Sequence, residues 1–177
     1  MATKKSTYIW ILFGILIIAA WLLGSVTQAG AKTYTVKCRE TGNIPKMQTV
    51  EVGDVPGNII GVAEAVGILS CDDGNVATIS WKDSLDLIKG SGKSYGYELV
   101  TYEDGSTLWM KYQCTVTPNL DGKTSRWEGP LEFIKGTGRF EGIQGGGSYI
   151  GKRLAPSPAA GVQYYIDWTF TYTLPSK

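Results

Sequence analysis

The residues of this chain best suited to acid–base or polar-ligand chemistry lie in its second half. Glu98, Trp109, Lys111, Arg126, Glu128 and Tyr149 combine carboxylates, cations and aromatic hydrogen-bonding groups. At the mouth or interior of a pocket, such groups fix a small ligand among apolar walls. For the charged members the competing reading is a solvated outer face, since charges are seldom buried unpaired. Asp83, Asp86, Glu132 and Glu141 add carboxylates, but their spacing does not single out an acid and a base. Histidine is absent, which excludes the Ser-His-Asp triad and the commonest zinc ligand sets. Asp72, Asp73 and Asn75 lie in an Asp-Asp-Gly-Asn run that lacks the length of a calcium loop and reads as a turn. The sequence assigns no catalytic residue and calls for no metal and no cofactor.

Cys38, Cys71 and Cys114 are too far apart for a chelating Cys-x-x-Cys motif. In an oxidising compartment one pair bonds and one thiol is left over, with three pairings open. Cys38 and Cys114 are each in phase with apolar neighbours, so buried free thiols are the alternative.

The elements that must position these side chains are strands. From Gln163 to Thr173, Tyr164, Ile166, Trp168, Phe170 and Tyr172 alternate with polar residues and Tyr165. This period of two, rich in aromatics and threonine, is that of a half-buried strand. Thr33 to Arg39 alternates likewise, with Tyr34, Val36 and Cys38 on one face. Tyr95 to Tyr102 and Thr107 to Val116 flank a Glu-Asp-Gly-Ser turn and form a hairpin. Its second arm puts Leu108, Met110, Tyr112, Cys114 and Val116 on one face, and Trp109, Lys111, Gln113 and Thr115 on the other. Further strands are expected at Asn58–Leu69, Asn75–Trp81, Ser125–Ile134 and Ser148–Arg153. Trp127, Tyr164, Trp168 and Phe170 read as core. No segment after Lys32 has a helical period. About eight or nine short strands at regular spacing predict an all-β domain, a sandwich or a closed barrel. Ala155 to Gly161, rich in proline, is expected to be an exposed loop.

The densest motif is Gly136-Thr-Gly-Arg-Phe-Glu-Gly-Ile-Gln-Gly-Gly-Gly-Ser-Tyr149. It suits tight bends between strands. It has neither the Gly-Lys-Ser/Thr ending nor the following helix of a phosphate loop. Leu85–Gly96 and Leu131–Gly142 echo each other, each running into Lys-Gly-(Ser/Thr)-Gly; a short duplication and shared turn chemistry both account for this.

The segment from Phe133 to Tyr149 resembles one shared by allene oxide cyclase-like and dirigent-like β-barrels, and is closest to small secreted bacterial barrels of unknown function. The resemblance is good for about Arg126 to Arg153 and general elsewhere. It implies a single antiparallel β-barrel of about eight strands around an apolar cavity, and a homo-oligomer, a trimer in the plant relatives. Those relatives steer a reactive intermediate. No catalytic residue of theirs maps onto a position here, and fold alone does not carry function.

Lys4 and Lys5 precede an uncharged apolar run, Tyr8 to Gly24, followed by Ala29-Gly30-Ala31. These are the parts of an export signal. As one apolar helix the run spans about 25 Å, marginal for a bilayer. Residues 1–31 are thus expected to be a signal peptide or a retained signal anchor holding residues 8–24 in the membrane. Residues 32–177 form the barrel domain, secreted, periplasmic or otherwise in the cell envelope. The whole chain has a formal net charge of +1, and Lys4 and Lys5 are the only charges before residue 32, so the domain carries −1. That balance argues against nucleic acid as a partner. The first expectation is a non-enzymatic barrel binding a small hydrophobic ligand or serving an interaction role. A cyclase- or dirigent-type enzyme and a structural or adhesive envelope protein are the alternatives.

Overall fold

Alternation of inward and outward side chains runs through eight strands. The computed structural model describes residues 32–120, 122–155 and 160–176. The expected N-terminal apolar helix, with its signal or anchor role, lies outside the described residues. Among the described residues no helix is long and apolar enough to cross a membrane. The strands are β1 (Thr33–Glu51), β2 (Asn58–Cys71), β3 (Val76–Ile88), β4 (Ser91–Tyr102), β5 (Thr107–Pro118), β6 (Ser125–Gly136), β7 (Gln144–Arg153) and β8 (Tyr164–Thr173). A short 3-10 helix, Gly138–Phe140, lies between β6 and β7.

Each strand pairs antiparallel with its neighbour in sequence, and β8 returns to β1, closing a single barrel. The closing seam sets Val36 opposite Phe170, Cys38 opposite Trp168 and Glu40 opposite Ile166. Closure leaves no free sheet edge, so every strand finds hydrogen-bonding partners on both sides. This is the all-β, eight-stranded antiparallel barrel expected.

Most strands are longer than the alternation alone indicated, β1 and β3 by the most. β1 continues past Arg39 to Glu51, with a register shift against β2 between Asn43 and Lys46. Pro45 sits in that shift; it has no N–H for the ladder, and the irregularity accommodates it. β3 continues past Trp81 to Ile88 because Asp83 takes an inward place between Trp81 and Leu85.

The echoed segments serve different turns. In the first, Lys89 and Gly90, with φ of 52° and 79°, make the two-residue turn joining β3 to β4. In the second, Gly136-Thr137-Gly138 leads from β6 into the 3-10 helix at the opposite end of the barrel.

Leu69, Ile79, Val100 and Met110 are almost fully buried, at 0–2% exposure, and form a packed waist. Each strand that supplies one of them lines one cavity on one side of that residue and, for β2, β4 and β5, a second cavity on the other. The smaller cavity is lined in part by Arg139, whose guanidinium lies 4.5 Å from the Tyr102 ring centre and donates to Asn75 at 2.8 Å. A disulfide joins Cys38 to Cys71, which face each other on β1 and β2, and Cys114 is a free, buried thiol. Of the pairings left open by the sequence, this one is present because register sets those two side chains together.

The disulfide closes a loop of 33 residues' separation. Replacing Cys38 and Cys71 together by serine is expected to cost about 2–4 kcal/mol of stability. Urea unfolding checks this: an unchanged midpoint, in the variant and in wild type under reductant, would show that the bond adds nothing.

Candidate functional site

Period-two alternation in a closed sheet forces neighbouring strands to share an interior. β3 contributes Trp81 and Asp83, β4 Ser94 and Glu98, and β5 Tyr112 and Cys114. Trp127, Tyr149 and Trp168 complete the wall from β6, β7 and β8. They enclose a cavity of about 260 Å³ that opens at the end carrying the β3–β4 and β5–β6 turns. Lys89, Lys123 and Arg153 stand at that mouth.

The aromatic wall is tightly interlocked. Trp81 meets Trp127 edge to face, with centroids 6.5 Å apart, and Tyr149 lies 4.6 Å from Trp168. Tyr149 also donates its hydroxyl to the Gln113 carbonyl at 3.0 Å. Two tyrosines lie across glycines. A methyl group on Gly96 would meet the Tyr112 hydroxyl at 2.5 Å, and one on Gly42 would meet that of Tyr164 at 2.5 Å. Only glycine leaves room for these rings. The absent side chain at position 42 lets the Tyr164 hydroxyl reach Glu40.

The three interior carboxyls differ in how well they are satisfied. Glu40 accepts from the Tyr164 hydroxyl at 2.6 Å and from the Trp168 indole N–H at 3.1 Å. The Trp81 indole N–H in turn donates to the Tyr164 oxygen at 3.2 Å. Burial still outweighs these bonds and pushes Glu40 up to about 7. Asp83 is raised to about 6 by burial, partly offset by hydrogen bonds from Ser94 and Tyr112, and its Oδ1 has no partner among the described residues. Glu98 is 2% exposed, and its Oε2 likewise finds no partner among them. Burial, then the nearby Glu40 and Asp83 charges, hold Glu98 well above the ordinary carboxyl range. Burial also raises Tyr112 and Tyr149, so both are neutral hydroxyl donors. Burial and the neighbouring carboxylates therefore favour the neutral form of Glu98, near an Asp83 raised less far, to about 6.

Of the six residues singled out from sequence, Glu98 and Tyr149 line this cavity together. Trp109, Lys111, Arg126 and Glu128 project from the outer face. Lys111 lies 3.8 Å from Glu132, and Arg126 pairs with Glu128 at 2.8 Å, both in exposed ion pairs. The reason is phase: β5 buries its even-numbered residues, which sends Trp109 and Lys111 outward. Asp83, Ser94, Tyr112 and Glu40 were not singled out. Asp83 had a usable signal, since it falls in step with Ile79, Trp81, Leu85 and Leu87. Glu40 extends the Tyr34, Val36, Cys38 face in the same way. Among the described residues, no group of three or more His, Cys, Asp or Glu side chains is placed to hold a metal ion.

No protein-family model matches the chain, and no curated protein matches it. Among solved structures it is similar to that of a pterocarpan synthase dirigent protein, with 14% identity, 86% of this chain and 96% of that chain covered, and a TM-score of 0.48.

An acid with a higher pKa in the folded chain binds more protons when folded, so its contribution to stability falls as pH rises from the unfolded value to the folded one. Stability is therefore expected to decline upward from about 4.5, through Asp83 at about 6 and Glu40 at about 7, with Glu98 titrating well above its ordinary value. Glu98→Gln should flatten this decline and exceed wild-type stability at about pH 8, while changing little at about pH 5. Urea unfolding at both pH values checks it; parallel profiles for the two proteins would mean that Glu98 ionises freely.

Proposed function

We propose that this barrel binds a small, largely apolar molecule in its interior as an exported or membrane-anchored protein of the cell envelope. The observation that carries the proposal is the aromatic-walled cavity open at one end of the barrel. At about 260 Å³ it lies just below the range of about 300–1,000 Å³ typical of drug-sized ligands. A molecule of one or two rings fits it. The packed waist closes its floor, so the ligand enters and leaves by the mouth. The export part rests on Lys4, Lys5 and the apolar run that follows, and is supported by the Cys38–Cys71 disulfide, a bond typical of oxidising compartments.

The protonation of the interior carboxyls favours a second reading. A Glu98 whose neutral form is favoured, near an Asp83 raised less far, is the pattern of a general acid beside a potential base. A barrel that also steered a bound intermediate would use Glu98 to donate a proton and the aromatic wall to hold the reactant's shape. The binding role comes first because it needs only the cavity, whereas the steering role needs a reactive substrate as well.

Native mass spectrometry of gently purified full-length protein is expected to reveal a bound small molecule. Small aromatic compounds should quench tryptophan emission, because Trp81, Trp127 and Trp168 line the cavity. Ala63 also lines it and is 5% exposed, so Ala63→Phe should fill the space and abolish binding, whereas the outward Lys111→Ala should leave it intact. Equal binding by the folded Ala63→Phe variant would place the ligand outside the barrel and overturn the proposal.

A further inference from the structure

Two buried carboxyl oxygens in one cavity have no partner. Oε2 of Glu98 and Oδ1 of Asp83 are both shielded from solvent and accept no hydrogen bond from the described residues. Glu98 is nine-tenths buried and more, and it lines the cavity rather than the waist. Leaving a buried acceptor unsatisfied is costly, by about 1–3 kcal/mol and more for a charged group. The cavity that these acids line is also lined by Trp81, Trp127 and Trp168 and by the neutral hydroxyls of Tyr112 and Tyr149. Carboxylates walled by aromatic faces complement a cation with an apolar body, which gains an ion pair and cation–π attraction at once.

Lys89 and Arg153 are set back from the cavity interior along their own strands. Asp83 and Lys89 lie six residues apart on β3 and its turn, roughly 20 Å along an extended chain. Tyr149 and Arg153 lie four apart on β7, about 13 Å. The cavity is thus acidic inside and basic at its rim. A carboxylate-headed chain would satisfy the rim but bury its hydrocarbon against Glu98 and Asp83. A compact amine satisfies the interior.

Resting on the ligand-binding role proposed above, we infer that the ligand class is a compact aromatic amine, its ammonium held between Glu98 and Asp83 and its ring stacked among Trp81, Trp127 and Trp168. Charge balances by proton release: the ammonium enters as a cation, and the proton that burial favours on Glu98 passes to solvent. The groups facing Glu98 in this step are Glu40 from β1, Asp83 from β3, Tyr112 and Cys114 from β5, Tyr149 from β7 and Tyr164 from β8, with Lys89, Lys123 and Arg153 at the mouth.

Calorimetric titration of the full-length protein with three indoles of similar size tests the inference: tryptamine, 3-propylindole and indole-3-acetate. Tryptamine is expected to bind at least tenfold more tightly than the other two at neutral pH. Glu98→Gln, a near-isosteric change, should remove at least tenfold of tryptamine affinity and leave 3-propylindole within twofold. Titrations in two buffers of different ionisation enthalpy should show proton release with tryptamine in wild type and none in Glu98→Gln. Equal binding of tryptamine and 3-propylindole would overturn the amine inference and leave the binding role standing. Preference for indole-3-acetate would also overturn it and move recognition to the rim. Failure of all three indoles, with the protein folded, would count against the binding role itself.

Discussion

Closure of eight antiparallel strands on themselves is the constraint from which the rest follows. Once β8 pairs with β1, every second residue of every strand belongs to one shared interior. A polar residue in phase with apolar ones has no choice but to be buried. Glu40, Asp83 and Glu98 are such residues, and the barrel deals with them unequally. Glu40 is wrapped by Tyr164 and Trp168, whereas Glu98 is left with an unfilled acceptor.

The same closure divides the interior. The waist of Leu69, Ile79, Val100 and Met110 supplies dense apolar packing of the kind that gives a small domain its stability. On one side the aromatic residues stand apart enough to leave a cavity, and the unsatisfied acids face that space rather than the waist. Stability and binding are thus assigned to different stretches of the same strands. On β4, Val100 serves the waist while Ser94 and Glu98 serve the cavity. The outer-face ion pairs Arg39–Asp167 and Lys46–Glu64 are exposed and add little to either task.

Most of the strand pattern was legible in the sequence because period-two alternation is a local signal. Tyr164 to Tyr172 and Leu108 to Val116 are placed as their alternation indicates. The continuation of β1 was hidden by Gly42 and Pro45, which break the local signal but are tolerated by a register shift against β2. The site was half legible. Glu98 and Tyr149 were identified by residue type, and Trp109, Lys111, Arg126 and Glu128 were drawn in by the same criterion although their phase sends them outward. Asp83 and Glu40 show the converse: their phase marks them as interior, but an ionisable type argues against burial. What resolves the conflict is not local. Tyr164 is 124 residues from Glu40 in sequence, and the glycine at position 42 lets its hydroxyl reach that acid across the closing seam.

The account depends on Glu98 being a neutral carboxylic acid in the aromatic-walled interior. Infrared spectroscopy in heavy water at neutral pH measures this directly. The account predicts a carbonyl band of a protonated carboxyl in the ligand-free protein that is lost in Glu98→Gln and diminishes when tryptamine binds. Identical spectra for wild type and Glu98→Gln in the protonated-carboxyl region would show Glu98 already ionised and solvated, and would contradict it.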